Sequence, residues 1–114
     1  MKEAKFLGNS LKAIRGFPEA AKQRMGNEIQ RLQHGEDPTD FKRMKDVGSS
    51  VYEICVSEDL SWYRAFYVAK FEDTVHILHA FEKKRNKTSK KDKDAGKKVY
   101  NELVLNRKKE AKNG

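Results

Sequence analysis

Cysteine is nearly absent from this 114-residue chain: Cys55 stands alone. A lone thiol makes no internal disulfide and cannot anchor a zinc ribbon or finger. A small domain without such staples fits a reducing compartment better than a secreted one, so a cytoplasmic location is expected. No apolar run approaches the ~20 residues of a membrane span. The opening MKEAKFLGNSLKAIRGF carries scattered charges and no apolar core, unlike a signal peptide. Internal repeats and long linkers are missing. So are the phosphate loop G-x-x-x-x-G-K, the zinc motif H-E-x-x-H and the nucleophile elbow G-x-S-x-G. Neither a metal nor a cofactor is expected.

What is present is charge. Lys and Arg number 25 against 17 Asp and Glu, a formal net charge of +8. From Met1 to Phe81 there are 12 basic and 12 acidic residues, and from Glu82 to Gly114 there are 13 and 5. The whole excess therefore lies in the last third. A balanced body with a basic end points to a polyanion partner. The length fits one domain over residues 1–114 with one modest core, and 107–114 could be a loose tail.

Periodicity orders the elements. Lys5 to Leu7 suits a short edge strand. Leu7, Leu11, Ile14 and Phe17 recur at helical spacing, with Asn9 or Ser10 as cap. Gly16-Phe17-Pro18 breaks that helix, and Pro18 opens a second whose stripe is Ala21, Met25, Ile29 and Leu32. Gly35 stops it after His34, which reads as a surface cap. The period then changes. Val51–Val56, Trp62–Ala69 and Thr74–Phe81 alternate and are rich in β-formers, with Glu72-Asp73 as a turn between the last two. Ser89 and Asp92 match a capping box for a C-terminal helix with stripe Ala95, Val99, Leu103. The expected fold is α+β: a short strand, a helical hairpin packed on one face of a small antiparallel sheet, and a C-terminal helix.

Helices on one face leave the other face, or its rim, for a ligand. A two-residue turn at Glu72-Asp73 sets Arg64 opposite Phe81 and Phe66 opposite His79, so that Arg64, Phe66, Val68, Ile77, His79 and Phe81 share a face. Arginine inside an aromatic strand is unexpected unless paired, and Glu53 is a candidate partner. Lys83 and Lys84 leave the strand at the same rim, ahead of Arg85 and Lys87, and form an electropositive cluster suited to phosphates. Tyr63, Tyr67, Phe66 and Trp62 could stack bases, although such a stripe is more often core. His76 and His79, three apart on a strand, are expected on opposite faces and unable to share a metal. Cys55 reads as a small buried residue. What remains is phosphate chemistry without a metal, in which an RNA 2′-hydroxyl attacks. It needs a base, charge stabilisation and an acid, roles open to Arg64, Lys83, Lys84 and His79.

The stretch Lys45–Lys84, above all VYEICV, WYRAFY and VHILHAFEKK, resembles the phage-related branch of the HigB/RelE toxin superfamily. The flanks FLGNSLKAIRGFPE, HGEDP and NKTSKKD agree, so the resemblance covers nearly the whole chain. It implies the toxin of a type II toxin–antitoxin pair: a ribosome-dependent endoribonuclease, or mRNA interferase, that acts on mRNA against ribosomal RNA without a metal. It also implies a helix-turn-helix antitoxin as partner. Arg64 matches the family's strand arginine at the scissile phosphate, Lys83 and Lys84 its basic or proton-transferring positions, and Lys45 an RNA-contacting lysine. His79 and Tyr67 fit the pattern too. One departure stands out, because Cys55 occupies a position where the family commonly carries arginine or lysine. A missing charge-assisted phosphate contact is worth ~1.5–3 kcal/mol. Two other readings therefore stay open: a ParE-like gyrase inhibitor that does not cut RNA, and an inactive RNA-binding accessory protein.

Overall fold

A computed structural model describes residues 1–71 and 73–113. Its elements are β1 (Glu3–Phe6), α1 (Ser10–Arg15), α2 (Glu19–Gln33), β2 (Phe41–Arg43), β3 (Tyr52–Glu58), β4 (Ser61–Val68), β5 (Thr74–Lys83) and α3 (Lys90–Asn113). The architecture is α+β, with one five-stranded sheet in the order β1-β5-β4-β3-β2. The sheet is mixed rather than antiparallel, because β1 pairs parallel to β5 while the other neighbours run antiparallel.

Local chemistry explains the helix ends. Pro18 sits at the N-cap of α2, with Glu19 in the first turn. At the other end His34 is the C-cap and Gly35 takes φ +80°. The Gly35 N–H donates to the Leu32 carbonyl at 3.0 Å and that of Glu36 to Arg31 at 2.9 Å, the paired bonds of a Schellman motif. The expected side-chain cap of α1 is not made. Asn9 forms no cap bond, and the Ser10 hydroxyl donates instead to the Ile77 carbonyl at 3.2 Å, tying α1 to β5.

Both faces of the sheet are covered. Ile14 and Phe17 from α1 and its exit, and Ala21, Met25, Ile29 and Leu32 from α2, pack on Ile54, Tyr63, Ala65, Tyr67, Val75 and Ile77. On the opposite face Tyr100 and Leu103 of α3 pack on Val51, Phe66, Val68, Leu78 and Phe81, with Met44 and Val47. The open face expected from sequence is therefore occupied by α3, and a rim remains. Gly96 permits the approach, since a Cβ there would lie 2.4 Å from the Phe66 ring.

Arg64 does oppose Phe81 and Phe66 does oppose His79, but a bulge follows, so that Tyr67 pairs with Ile77 and Val68 with His76. The extra residue, Leu78, moves Ile77 to the hairpin side. Of the expected turn, Glu72 lies outside the described residues; the link between β4 and β5 spans 69–73. The bulge also overturns the reading of the two histidines. His76 lies against Phe71 and His79 bonds to α3, so both stand on the α3 side. Strand β2 went unread because three exposed residues carry no periodic signal; its pairing with β3 makes it. Helix α3 continues through 107–113, and the Arg107 guanidinium lies 3.6 Å from the centre of the Phe71 ring. Among the described residues no helix is long and apolar enough to cross a membrane.

Candidate functional site

Strands β3 and β4 carry the centre of the site. Cross-strand pairing sets Cys55 beside Arg64 and Glu53 beside Phe66, all toward α3. Arg64 is 2% exposed and Glu53 fully buried. The Arg64 Nη1 donates to Glu53 Oε1 at 2.5 Å, and its Nη2 to Asn86 Oδ1 at 2.5 Å. The other Glu53 oxygen accepts from Thr88 Oγ1 at 2.6 Å, and Lys42 Nζ stands 3.8 Å from Oε1. A buried charge persists only when paired and hydrogen-bonded, and Glu53 meets that need from three directions. The Arg64 Nε has no partner among the described residues.

Arg64, though nearly fully buried, contributes to the wall of a cavity of about 270 Å³ lined by Asp40, Phe41, Lys42, Glu53, Cys55, Arg64 and Asn86. Cys55 is half-buried in that wall rather than buried as expected. Desolvation pushes its thiol up, against the opposing pull of Arg64. It thus puts a neutral thiol in the cavity wall.

A second cluster forms where α3 meets β5. Ser89 caps the helix: the Asp92 N–H donates to Ser89 Oγ at 3.2 Å, and that hydroxyl donates to Asp92 Oδ2 at 2.8 Å. The same carboxylate meets His79 Nε2 at 3.0 Å through Oδ1 and Lys83 Nζ at 2.8 Å through Oδ2. Burial raises the Asp92 carboxyl, but the hydrogen bonds from Lys83, His79 and Ser89 outweigh it and hold the group below the usual carboxylate range. The His79 ring stacks on Phe81, with centroids 5.3 Å apart. Asp92 thus holds two candidate catalytic groups. Its capping box is legible in sequence, but the contact with His79 depends on how α3 lies on the sheet.

Beyond this cluster lies a basic groove of about 760 Å³, lined by Lys83, Arg85, Lys87, Lys90 and Lys93 among others. Arg85 and Lys87 are exposed. Lys45 is exposed on the turn between β2 and β3, next to Asp46, which pairs with Lys93 at 2.7 Å. Lys84 does not point to Arg64. Its ammonium binds Glu82 at 2.9 Å and Ser61 at 2.8 Å, while the residue, one past the end of β5, lines the basic groove together with Lys83. Tyr67 is also elsewhere: it is 3% exposed in the hairpin-side core and stacks on Tyr52 at 5.9 Å. Burial pushes its hydroxyl far up. Phe66 and Tyr63 are likewise core, which leaves Trp62 half-buried. Arg64, His79 and Lys83 share a face, and Asn86 joins Arg64 to the segment that carries Arg85 and Lys87. Among the described residues no group of three or more His, Cys, Asp or Glu could hold a metal ion.

A five-stranded sheet with a parallel N-terminal edge strand, a helical hairpin and a C-terminal helix is compatible with a RelE-like fold. The family model described as phage derived protein Gp49-like (DUF891) matches residues 12–101, and the chain belongs to that family. That membership is compatible with a toxin of the RelE/HigB type. No curated protein matches the chain.

Proposed function

We propose that this protein is the toxin of a type II toxin–antitoxin system and cuts mRNA on the ribosome by metal-independent attack of a 2′-hydroxyl. The observation that carries the reading is Arg64, a guanidinium fixed by Glu53 and Asn86 in the wall of an open cavity, next to a basic groove. A preorganised cation of this kind stabilises charge that develops on a phosphorane without reorganising. His79 and Lys83, held by Asp92, move the protons: one takes the proton of the attacking 2′-hydroxyl and the other gives a proton to the leaving 5′-oxygen. Lys45, Arg85 and Lys87 take neighbouring phosphates. The partner that restrains it is a helix-turn-helix antitoxin. Purified ribosomes programmed with a defined message provide the test: the wild-type chain yields discrete cuts only on translating ribosomes, and Arg64→Ala yields none. Equal cutting by Arg64→Ala would remove Arg64 from the chemistry.

A second reading has its own support. Arg64 is neutralised by Glu53 and flanked by Cys55, so one cation fewer faces the phosphate. This favours a protein that binds RNA or gyrase without cutting. A supercoiling assay with purified gyrase, together with RNA binding in the absence of cleavage, separates these from the nuclease.

A further inference from the structure

On the hairpin side of the sheet lies a cavity of about 550 Å³ that the proposed chemistry leaves unused. Its wall is an aromatic ladder across three strands. Phe41 of β2 lies 6.1 Å from Tyr52 of β3, which stacks on Tyr67 of β4 at 5.9 Å and 27°. Arg43 and Lys70 supply positive charge at its border, and Asp37 an acceptor. The Arg43 Nη2 donates to the Ser49 carbonyl at 3.1 Å, which fixes that guanidinium, and the Lys70 ammonium stands 5.1 Å from the centre of the Phe71 ring. Phe41 is 38% exposed, unusual for so large an apolar ring, and it borders this cavity and the Arg64 cavity alike. The two cavities, on opposite faces of the sheet, therefore meet at Phe41 on the edge strand β2.

Aromatic faces flanked by cations suit a planar base attached to a phosphate. We infer that this cavity is a nucleotide subsite. A base stacks on Phe41 and Tyr52, its phosphate meets Arg43, and a single strand crosses the β2 edge toward Lys42 and Arg64. Its role as a message-reading subsite rests on the nuclease reading; binding of a nucleotide there does not.

The test is an NMR titration of the full chain with adenosine 5′-monophosphate and, separately, with ribose 5-phosphate. The nucleotide is expected to shift the ring signals of Tyr52 and Phe41 and to bind at least about tenfold tighter than the sugar phosphate. Phe41→Ala should weaken it about tenfold, and Phe41→Trp should retain it. Arg43→Gln provides a second weakening variant should Phe41→Ala fail to fold. Equal binding of nucleotide and sugar phosphate, or shifts confined to the groove of Lys83 and Lys87, would overturn the inference. If the wild-type chain binds the nucleotide here and yet cuts no message, the nuclease reading fails and the subsite stands.

Discussion

Glu53 and Arg64 form an ion pair at 2.5 Å in the interior of the sheet, with side chains 0% and 3% exposed. Burying two charges costs several kcal/mol each, and their attraction only repays it with extra hydrogen bonds, here from Thr88 and Asn86. The pair fixes the guanidinium in the wall of the cavity beside β2. Glu53→Gln leaves the guanidinium buried without a counter-charge and should cost about 3–5 kcal/mol. Urea denaturation measures it. Replacing both partners by Glu53→Leu with Arg64→Met should cost clearly less than Glu53→Gln alone, and an equal or larger loss would contradict the pairing argument.

Gly96 lies in the interior of α3, where alanine would ordinarily add about 1 kcal/mol. Its Cβ, however, would fall 2.4 Å from Phe66, a ring with no exposed surface and no room to move. Overpacking typically costs about 1–3 kcal/mol, so Gly96→Ala should destabilise on balance. A raised thermal midpoint would show that α3 does not approach the sheet this closely.

His76 is driven toward its neutral form first by burial and then by the charges of Arg107 and Lys5, and its Nδ1 has no partner among the described residues. The folded protein holds that proton less tightly than the unfolded chain, so the unfolded state binds more protons. Stability from this group is therefore present above the ordinary imidazole range near about 6.5 and is lost as pH falls below it. Chemical denaturation across this range should show a slope that His76→Leu flattens. An unchanged slope would assign the dependence elsewhere.

Asp92 works the opposite chemistry. Its carboxyl is held below the usual range in the folded state despite burial, so its contribution is present above about pH 3.9 and lost as pH falls through the lowered folded value. Asp92→Asn should cost about 1–3 kcal/mol at neutral pH, through the charge-assisted bonds to Lys83 and His79, and should weaken the acid dependence. A variant as stable as wild type would mean that these bonds contribute nothing net.

The lysines of α3 divide from the cluster at its start. Exposed Lys91, Lys97 and Lys98 are expected to steer the protein onto ribosomal RNA. Neutralising them should reduce the dependence of RNA binding on salt by about 0.7 to 0.9 log units per contact removed and leave cutting by the bound toxin unchanged. Filter binding over a salt series checks the first part, and single-turnover cutting at saturation the second.

Much of this was legible beforehand. The stripe Ala21, Met25, Ile29 and Leu32 is buried as its spacing predicts, and Arg64 pairs with Phe81 as the register counted from a turn at Glu72-Asp73 predicts. What sequence could not reveal depends on distant packing. The bulge at Leu78 inserts one residue without a local signal, and it sends Ile77 and His76 to the sides opposite those their parity predicts. Strand β2 exists only because β3 is there to pair with it. The site shows the same division. Arg64 and its partner Glu53 could be read from strand chemistry, whereas Asp92 joined them only when α3 folded onto the sheet. Lys84 lines the basic groove with Lys83, and the engagement of its ammonium by Glu82 and Ser61 is a contact that position in the chain does not give.

Primer extension on total RNA from cells expressing the protein tests the central claim most directly. The account predicts new 5′ ends within translated messages, present with the wild type and absent with Arg64→Ala, whose expression no longer arrests growth. Growth arrest with unchanged message ends would contradict it.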